Sequence, residues 1–129
     1  MKLNRLKNNH LILNRLNKVN LKTIKVKHGN VKSNCFIINK KLAYISDVNE
    51  IYNKDYKYFK NLEYLIIDCL RYNFHPSHFN LESVLNLINL FKPKKSILTN
   101  LHTDLDYNVL KNRLPKNVVP AYDGLSINF

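Results

Sequence analysis

The stretch LEYLIIDCLRYNFHPSHFNLESVLNLINLFKPKKSILT, residues 62–99, constrains the fold more than any other part of the chain. LEYLIID is short, continuously apolar and bounded by polar residues, the pattern of a strand buried on both faces. Asn80 can cap a helix whose apolar positions Leu81, Val84, Leu85, Ile88 and Phe91 recur at intervals of three and four, and Lys92-Pro93 closes it before the strand SILT. A strand, a helix and a second strand in this order belong to a layered α/β domain in which helices cover a sheet.

The flanking segments extend that pattern. KTIKVK alternates with period two, His28-Gly29-Asn30 makes a turn, and SNCFIIN and KLAYIS follow as further strand-length runs. NEIYNKDYKYFKNLE places Ile51, Tyr52, Tyr56 and Phe59 at helical intervals, which predicts a helix before LEYLIID. After SILT, Asp106 can cap a last helix, YNVLKNRL, stopped at Pro115. The Asp123-Gly124 pair in VVPAYDGLSINF signals a C-terminal β-hairpin. The first residues fit neither period, and Asn8-Asn9 argues for a turn. This divides the chain into an undecided basic segment, 1–21, and an α/β domain, 22–129.

At 129 residues, 45% of them hydrophobic and 11% aromatic, the chain is long enough for one domain with a genuine core and too apolar for a disordered segment. No apolar run approaches the length of a bilayer span, and the N-terminal residues lack the apolar core and cleavage site of a secretory signal. The expectation is a cytoplasmic protein without a membrane segment. Cys35 and Cys69 sit inside apolar runs, where thiols behave as small buried hydrophobes rather than as a disulfide.

The net charge is +12, and every charged residue before Asp47, from Lys2 to Lys41, is basic. Such a field favours nucleic acid or phosphorylated substrates without locating a site. A solvated basic face accounts for it equally well, because aromatic residues do not interleave with these charges along the sequence as a single-strand platform requires.

Four points hold polar residues just beyond strand-length runs, where α/β sheets bind ligands. His28 follows KTIKVK, Asp47 follows KLAYIS, His75 and His78 follow LEYLIID, and Asn100, His102 and Asp104 follow SILT. Imidazole and carboxylate are ligands that zinc or manganese accepts. Each residue also has a purely structural reading: His28 as a turn residue, Asp47 as the cap of the helix starting in VNEIY, His75-Pro76 as a surface turn, His78 at a helix start, and Asp104 or Asp106 as a cap.

The ordered motifs VKHGN, LAYISDV, the stretch from LEYLIID through SILTNLHTDLDY, and LPKNVVPAYDGLSI resemble the C-terminal half of metallo-β-lactamase-fold hydrolases over roughly residues 22–129. The phosphodiesterase branch that includes the phosphoribosyl cyclic phosphate phosphodiesterases is the nearest in pattern. The resemblance implies the C-terminal half of an αββα sandwich, with a mixed sheet covered by helices. It also implies two divalent metal ions, zinc or manganese, and hydrolysis of a phosphodiester or cyclic phosphate. His28 matches a histidine that binds one metal, and Asp47, in YISD, the aspartate that bridges both. His78, in HPSHFNLESVL, matches a histidine beside the metals that contacts the phosphate or protonates the leaving oxygen; Asp68 is structural or supports a ligand.

Two departures accompany the resemblance. The His-x-His-x-Asp-His motif that supplies most metal ligands in these hydrolases is not in the 129 residues. The chain is therefore expected to be a partial one, weak or inactive alone, and completed by a second chain carrying the missing half or by a homo-oligomer. The position after SILT, where related enzymes carry a last histidine ligand, is Asn100, which leaves His102, two residues on, as the nearby imidazole. A noncatalytic basic module that binds nucleic acid or another polyanion is the alternative.

Overall fold

The computed structural model describes residues 9–13 and 18–129. It contains strands β1 (Asn9–Leu13), β2 (Lys18–His28), β3 (Val31–Ile38), β4 (Leu42–Ile45), β5 (Tyr64–Asp68), β6 (Lys95–Thr99) and β7 (Val118–Pro120), with helices α1 (Leu81–Phe91) and α2 (Tyr107–Arg113). All seven strands form one mixed sheet in sequential order. β1 to β4 are an antiparallel meander, and β4 to β7 run parallel. The parallel half needs crossovers, and α1 and α2 supply those between β5 and β6 and between β6 and β7. Asn9 opens β1 instead of sitting in a turn, and Asn8 lies outside the described residues.

The sharp β2–β3 connection follows from Gly29. His28 pairs with Val31 across two residues, and Gly29 takes the left-handed φ of 58° that the first position of a type II′ turn requires. A Cβ at Gly29 would meet the Ser77 Cβ at 3.0 Å, so the missing side chain also admits the 75–78 loop.

The core lies on one side of the sheet. Ile24 and Val26 of β2, Cys35 and Ile37 of β3, Ile45 of β4, Leu65 and Ile67 of β5 and Leu98 of β6 meet Val84, Ile88 and Phe91 of α1 and Leu110 of α2. Phe59 stacks on Phe91 with ring centres 5.4 Å apart. Both α-helices are capped by the residues the sequence indicates: the Asn80 side chain accepts from the Ser83 N–H, and that of Asp106 from the Val109 N–H. Lys92 ends α1 in the left-handed conformation usually given to glycine, followed by Pro93. Both cysteines are free thiols, fully buried. Burial raises both thiol pKa values, and Cys69, with Asp68 and then Asp104 adding to the effect, is pushed up to about 12. Among the described residues no helix is long and apolar enough to cross a membrane.

Two expectations are corrected. The periodic segment before β5 is a short 3₁₀ helix, Asn53–Tyr58, not an α-helix. Its apolar anchors Ile51 and Phe59 flank it while the helix itself buries no residue, so a tight turn spans the two contacts as well as an α-helix would. The C-terminal hairpin does not form. Asp123-Gly124 does make a turn closed by the Leu125 N–H on the Tyr122 carbonyl, but no strand follows it. Gly124 is left-handed, φ 90°, while Asp123 is not, a type II pattern whose twist splays flanking strands instead of pairing them.

Candidate metal centre

β2 runs parallel to β4, because two antiparallel pairings separate them, so β2, β4, β5 and β6 all end at the same edge of the sheet. That edge carries His28 as the last residue of β2, Asp47 two residues beyond β4, Asp68 as the last residue of β5, and Asn100 directly after β6. The loop between β5 and α1 crosses the same edge and brings His78. It is fastened by backbone bonds, Phe79 N–H to the Val48 carbonyl and Leu70 N–H to the Phe79 carbonyl.

His28, Asp47 and His78 come together: each offers one ligand atom, and these atoms lie within 4.8 Å of one another. Both histidines are half-buried and Asp47 is exposed. The two imidazoles meet edge to face with centres 4.7 Å apart. His28 Nδ1 lies 2.7 Å from the Ser77 carbonyl oxygen, which only accepts, so Nδ1 carries the proton and Nε2 keeps its lone pair. His78 Nδ1 lies 2.6 Å from Asp68 Oδ2, which fixes the same tautomer in that ring. A metal-binding histidine is oriented in this way, by a carbonyl or carboxylate on its other nitrogen.

Asp68 organises the group from below. Its carboxylate is fully buried and accepts three hydrogen bonds: from His78 Nδ1, from the Val48 N–H at 3.1 Å and from Asn100 Nδ2 at 3.1 Å. The Val48 bond also holds the peptide that follows Asp47, while Ser33 Oγ donates to the Asp47 carbonyl at 2.6 Å. With both polar groups of that one peptide bonded, Asp47 stays in the left-handed region, φ 55°, a conformation uncommon for a non-glycine residue. No helix starts at Asp47, so its reading as a helix cap is corrected; the 3₁₀ helix that follows is preceded by Tyr52.

The remaining candidates fall elsewhere. His102 is outside the three-residue group: its Nδ1 sits 2.9 Å from Asp104 Oδ1, and its side chain is 58% exposed. Asn100, left-handed at φ 63°, turns its amide onto Asp68, so β6 supports the centre through a hydrogen bond instead of presenting an imidazole. His75 lies beside His78 with ring centres 5.2 Å apart, and its pKa is lowered by desolvation and by the neighbouring Arg71. The Asn100–Asp68 bond has a sequence signal only in retrospect, a polar residue ending each of two adjacent strands. The Ser77 carbonyl has none, being backbone.

The group suits a divalent cation chemically. Imidazole nitrogen with its second nitrogen already bonded, and carboxylate oxygen, are the donors that zinc and manganese accept.

No protein-family model and no curated protein matches the sequence. Solved structures do. A diphosphatase of the PhnP family is 25% identical and superposes with a TM-score of 0.82 over 86% of this chain and 44% of its own. The metallo-β-lactamase-fold protein YhfI from Bacillus subtilis is 16% identical, TM-score 0.68, over 83% of this chain and 48% of its own. The fold is one half of a metallo-β-lactamase domain. Zinc-bound PqqB from Methylobacterium extorquens, 12% identical, superposes with a TM-score of 0.67 over 86% of this chain and 50% of its own. The chain thus spans about half the length of these metallo-β-lactamase-fold structures, and among its described residues the sheet edge with His28, Asp47 and His78 gathers potential metal ligands.

Proposed function

We propose that this half-fold belongs to a divalent-metal-dependent hydrolase of phosphate esters, of the phosphodiesterase type, that is completed by a polypeptide carrying a His-x-His-x-Asp-His motif. The observation that carries the reading is the grouping of His28, Asp47 and His78, with both histidines presenting Nε2. The diphosphatase among its structural neighbours supports phosphate chemistry.

His28 and Asp47 are the proposed metal ligands, and two zinc or manganese ions are the proposed complement. Bound there, the metals would activate water and clamp phosphoryl oxygens. His78 is the proposed proton donor to the leaving oxygen: once Nε2 has taken up a proton from solvent, Asp68 holds Nδ1–H and steadies the imidazolium until Nε2 passes that proton on. One imidazole and one carboxylate hold a metal weakly, so the missing motif has to supply the rest of the affinity.

The test is complementation. The chain is mixed with the N-terminal half of the PhnP-family diphosphatase, and hydrolysis of bis(p-nitrophenyl) phosphate is followed with manganese or zinc. The reading predicts little turnover by the chain alone and metal-dependent turnover by the pair, abolished by Asp47→Ala. Robust metal-dependent turnover by the purified chain alone would overturn it.

A further inference from the structure

Among the described residues, a concentration of lysines lies around the 3₁₀ helix, outside the His28, Asp47 and His78 group. Tyr52, just before this short helix, and Tyr58, its last residue, line clefts together with lysines of β2 and β3, so that the aromatic residues absent from the basic segment in sequence are delivered to it in space. One cleft of about 370 Å³ is lined by Lys22, Lys25, Lys32 and Lys54 together with both tyrosines. A second, of about 520 Å³, shares Lys22 and Tyr58 with the first and adds Lys40, Lys57 and Lys60. Asp55 is the one carboxylate residue lining either cleft. Lys22 Nζ lies 4.3 Å from the centre of the Tyr58 ring and Lys57 Nζ 5.1 Å, both within cation–π reach. Lys54 stands 5.9 Å from the centre of Tyr52.

We propose that these two joined clefts form a binding surface for single-stranded nucleic acid. Single strands are held by cations that track the phosphates and by aromatic rings that meet the bases, and this is the pairing the clefts provide. A concave surface that places tyrosines between lysines favours a flexible strand, whose bases are free to turn inward, over a duplex, whose bases are stacked away. The surface lies along β2, with Lys22 six residues from His28, or about 20 Å at the rise of an extended strand. The proposal stands apart from the metal chemistry, because binding is read in the presence of a chelator.

The experiment is fluorescence anisotropy with a labelled 20-nucleotide oligouridylate in EDTA. The triple variant Lys25→Glu, Lys54→Glu, Lys57→Glu is compared with Lys94→Glu, Lys111→Glu, Lys116→Glu, which makes the same change in net charge at exposed sites elsewhere. The cleft variant is expected to bind at least about tenfold more weakly and to lose about two units of slope in log Kd against log salt, at about 0.7 per phosphate contact. The control variant is expected to lose less than about threefold. Tyr52→Leu is expected to weaken binding about fivefold or more without changing the slope.

Equal losses in the two triple variants would overturn the proposal in favour of a diffuse field. So would duplex or inorganic polyphosphate binding as tightly as the single strand, or an inert Tyr52→Leu. Should the cleft variant unfold, acetylation footprinting of the unaltered chain decides: oligouridylate must protect Lys25, Lys54 and Lys57 more than Lys94, Lys111 and Lys116, and uniform protection refutes the surface.

Discussion

Asp68→Ala is expected to be the most damaging single change near the candidate centre, for reasons that can be given a magnitude. The carboxylate is wholly buried and receives the Val48 N–H, His78 Nδ1 and Asn100 Nδ2. Truncation leaves a buried donor at Val48, itself fully buried, at a cost of about 1–3 kcal/mol. His78 and Asn100 are partly exposed and recover some of their loss by turning to water, so their charge-assisted bonds add about 1–2 kcal/mol together. The total, about 2–5 kcal/mol, is a large share of the roughly 5–15 kcal/mol that stabilises a domain. At a urea m-value of about 2 kcal/mol/M, the unfolding midpoint falls by about 2 M. Asp68→Asn keeps the size and one acceptor and is expected to lose about half as much. In the complemented enzyme either variant should lower turnover by up to about 100-fold, because His78, the proposed proton donor, loses the carboxylate that holds its Nδ1. A midpoint shift below about 0.5 M for Asp68→Ala, measured by urea unfolding followed by circular dichroism, would refute the view that this carboxylate organises the edge.

Gly29→Ala forces a side chain into a left-handed turn and against Ser77, whose carbonyl holds His28; urea unfolding should show a loss of about 1–3 kcal/mol. The buried thiols give a pH dependence with a definite sign. Their folded pKa values are raised above the ordinary 9.0, so the stabilisation is complete below about pH 9 and is lost as the unfolded chain ionises above it. The slope is about −1.4 kcal/mol per pH unit for each thiol, and it should flatten above pH 9 in the Cys35→Ala, Cys69→Ala variant relative to the unaltered chain. In the folded state neither thiol should react with a disulfide reagent at pH 8 until urea unfolds the chain. His102→Ala should leave both stability and metal binding of the complemented enzyme unchanged, since its side chain pairs only with Asp104 at the surface.

The parallel half of the fold was legible because its signals are local and agree with one another. Asn80 and Asp106 cap the helices they precede, and LEYLIID and SILT are buried strands because continuous apolar runs have nowhere else to go. The segment around Tyr52 to Phe59 misled because helical spacing of anchors does not distinguish an α-helix from a 3₁₀ turn whose ends alone are buried. The Asp123-Gly124 turn misled because the dipeptide permits both turn types, and the sign of φ at Asp123 decides between them. At the candidate site, the strand-end residues His28 and Asp47 and the nearby His78 were visible as polar punctuation after apolar runs. That His102 stays outside the group was not, since the direction of its side chain depends on Asp104 and the bonding of Asn100 depends on a strand 32 residues away.

The central claim is that His28 and Asp47 hold a divalent metal with His78 beside it. The most direct test is a zinc titration of the isotope-labelled chain followed by proton–nitrogen NMR, which detects the weak binding expected without the complementing half. The account predicts that the imidazole signals of His28 and His78 and the amides around Asp47 shift together as zinc is added, and that Asp47→Ala removes the response. A response centred on His102, or one that survives Asp47→Ala unchanged, would contradict it.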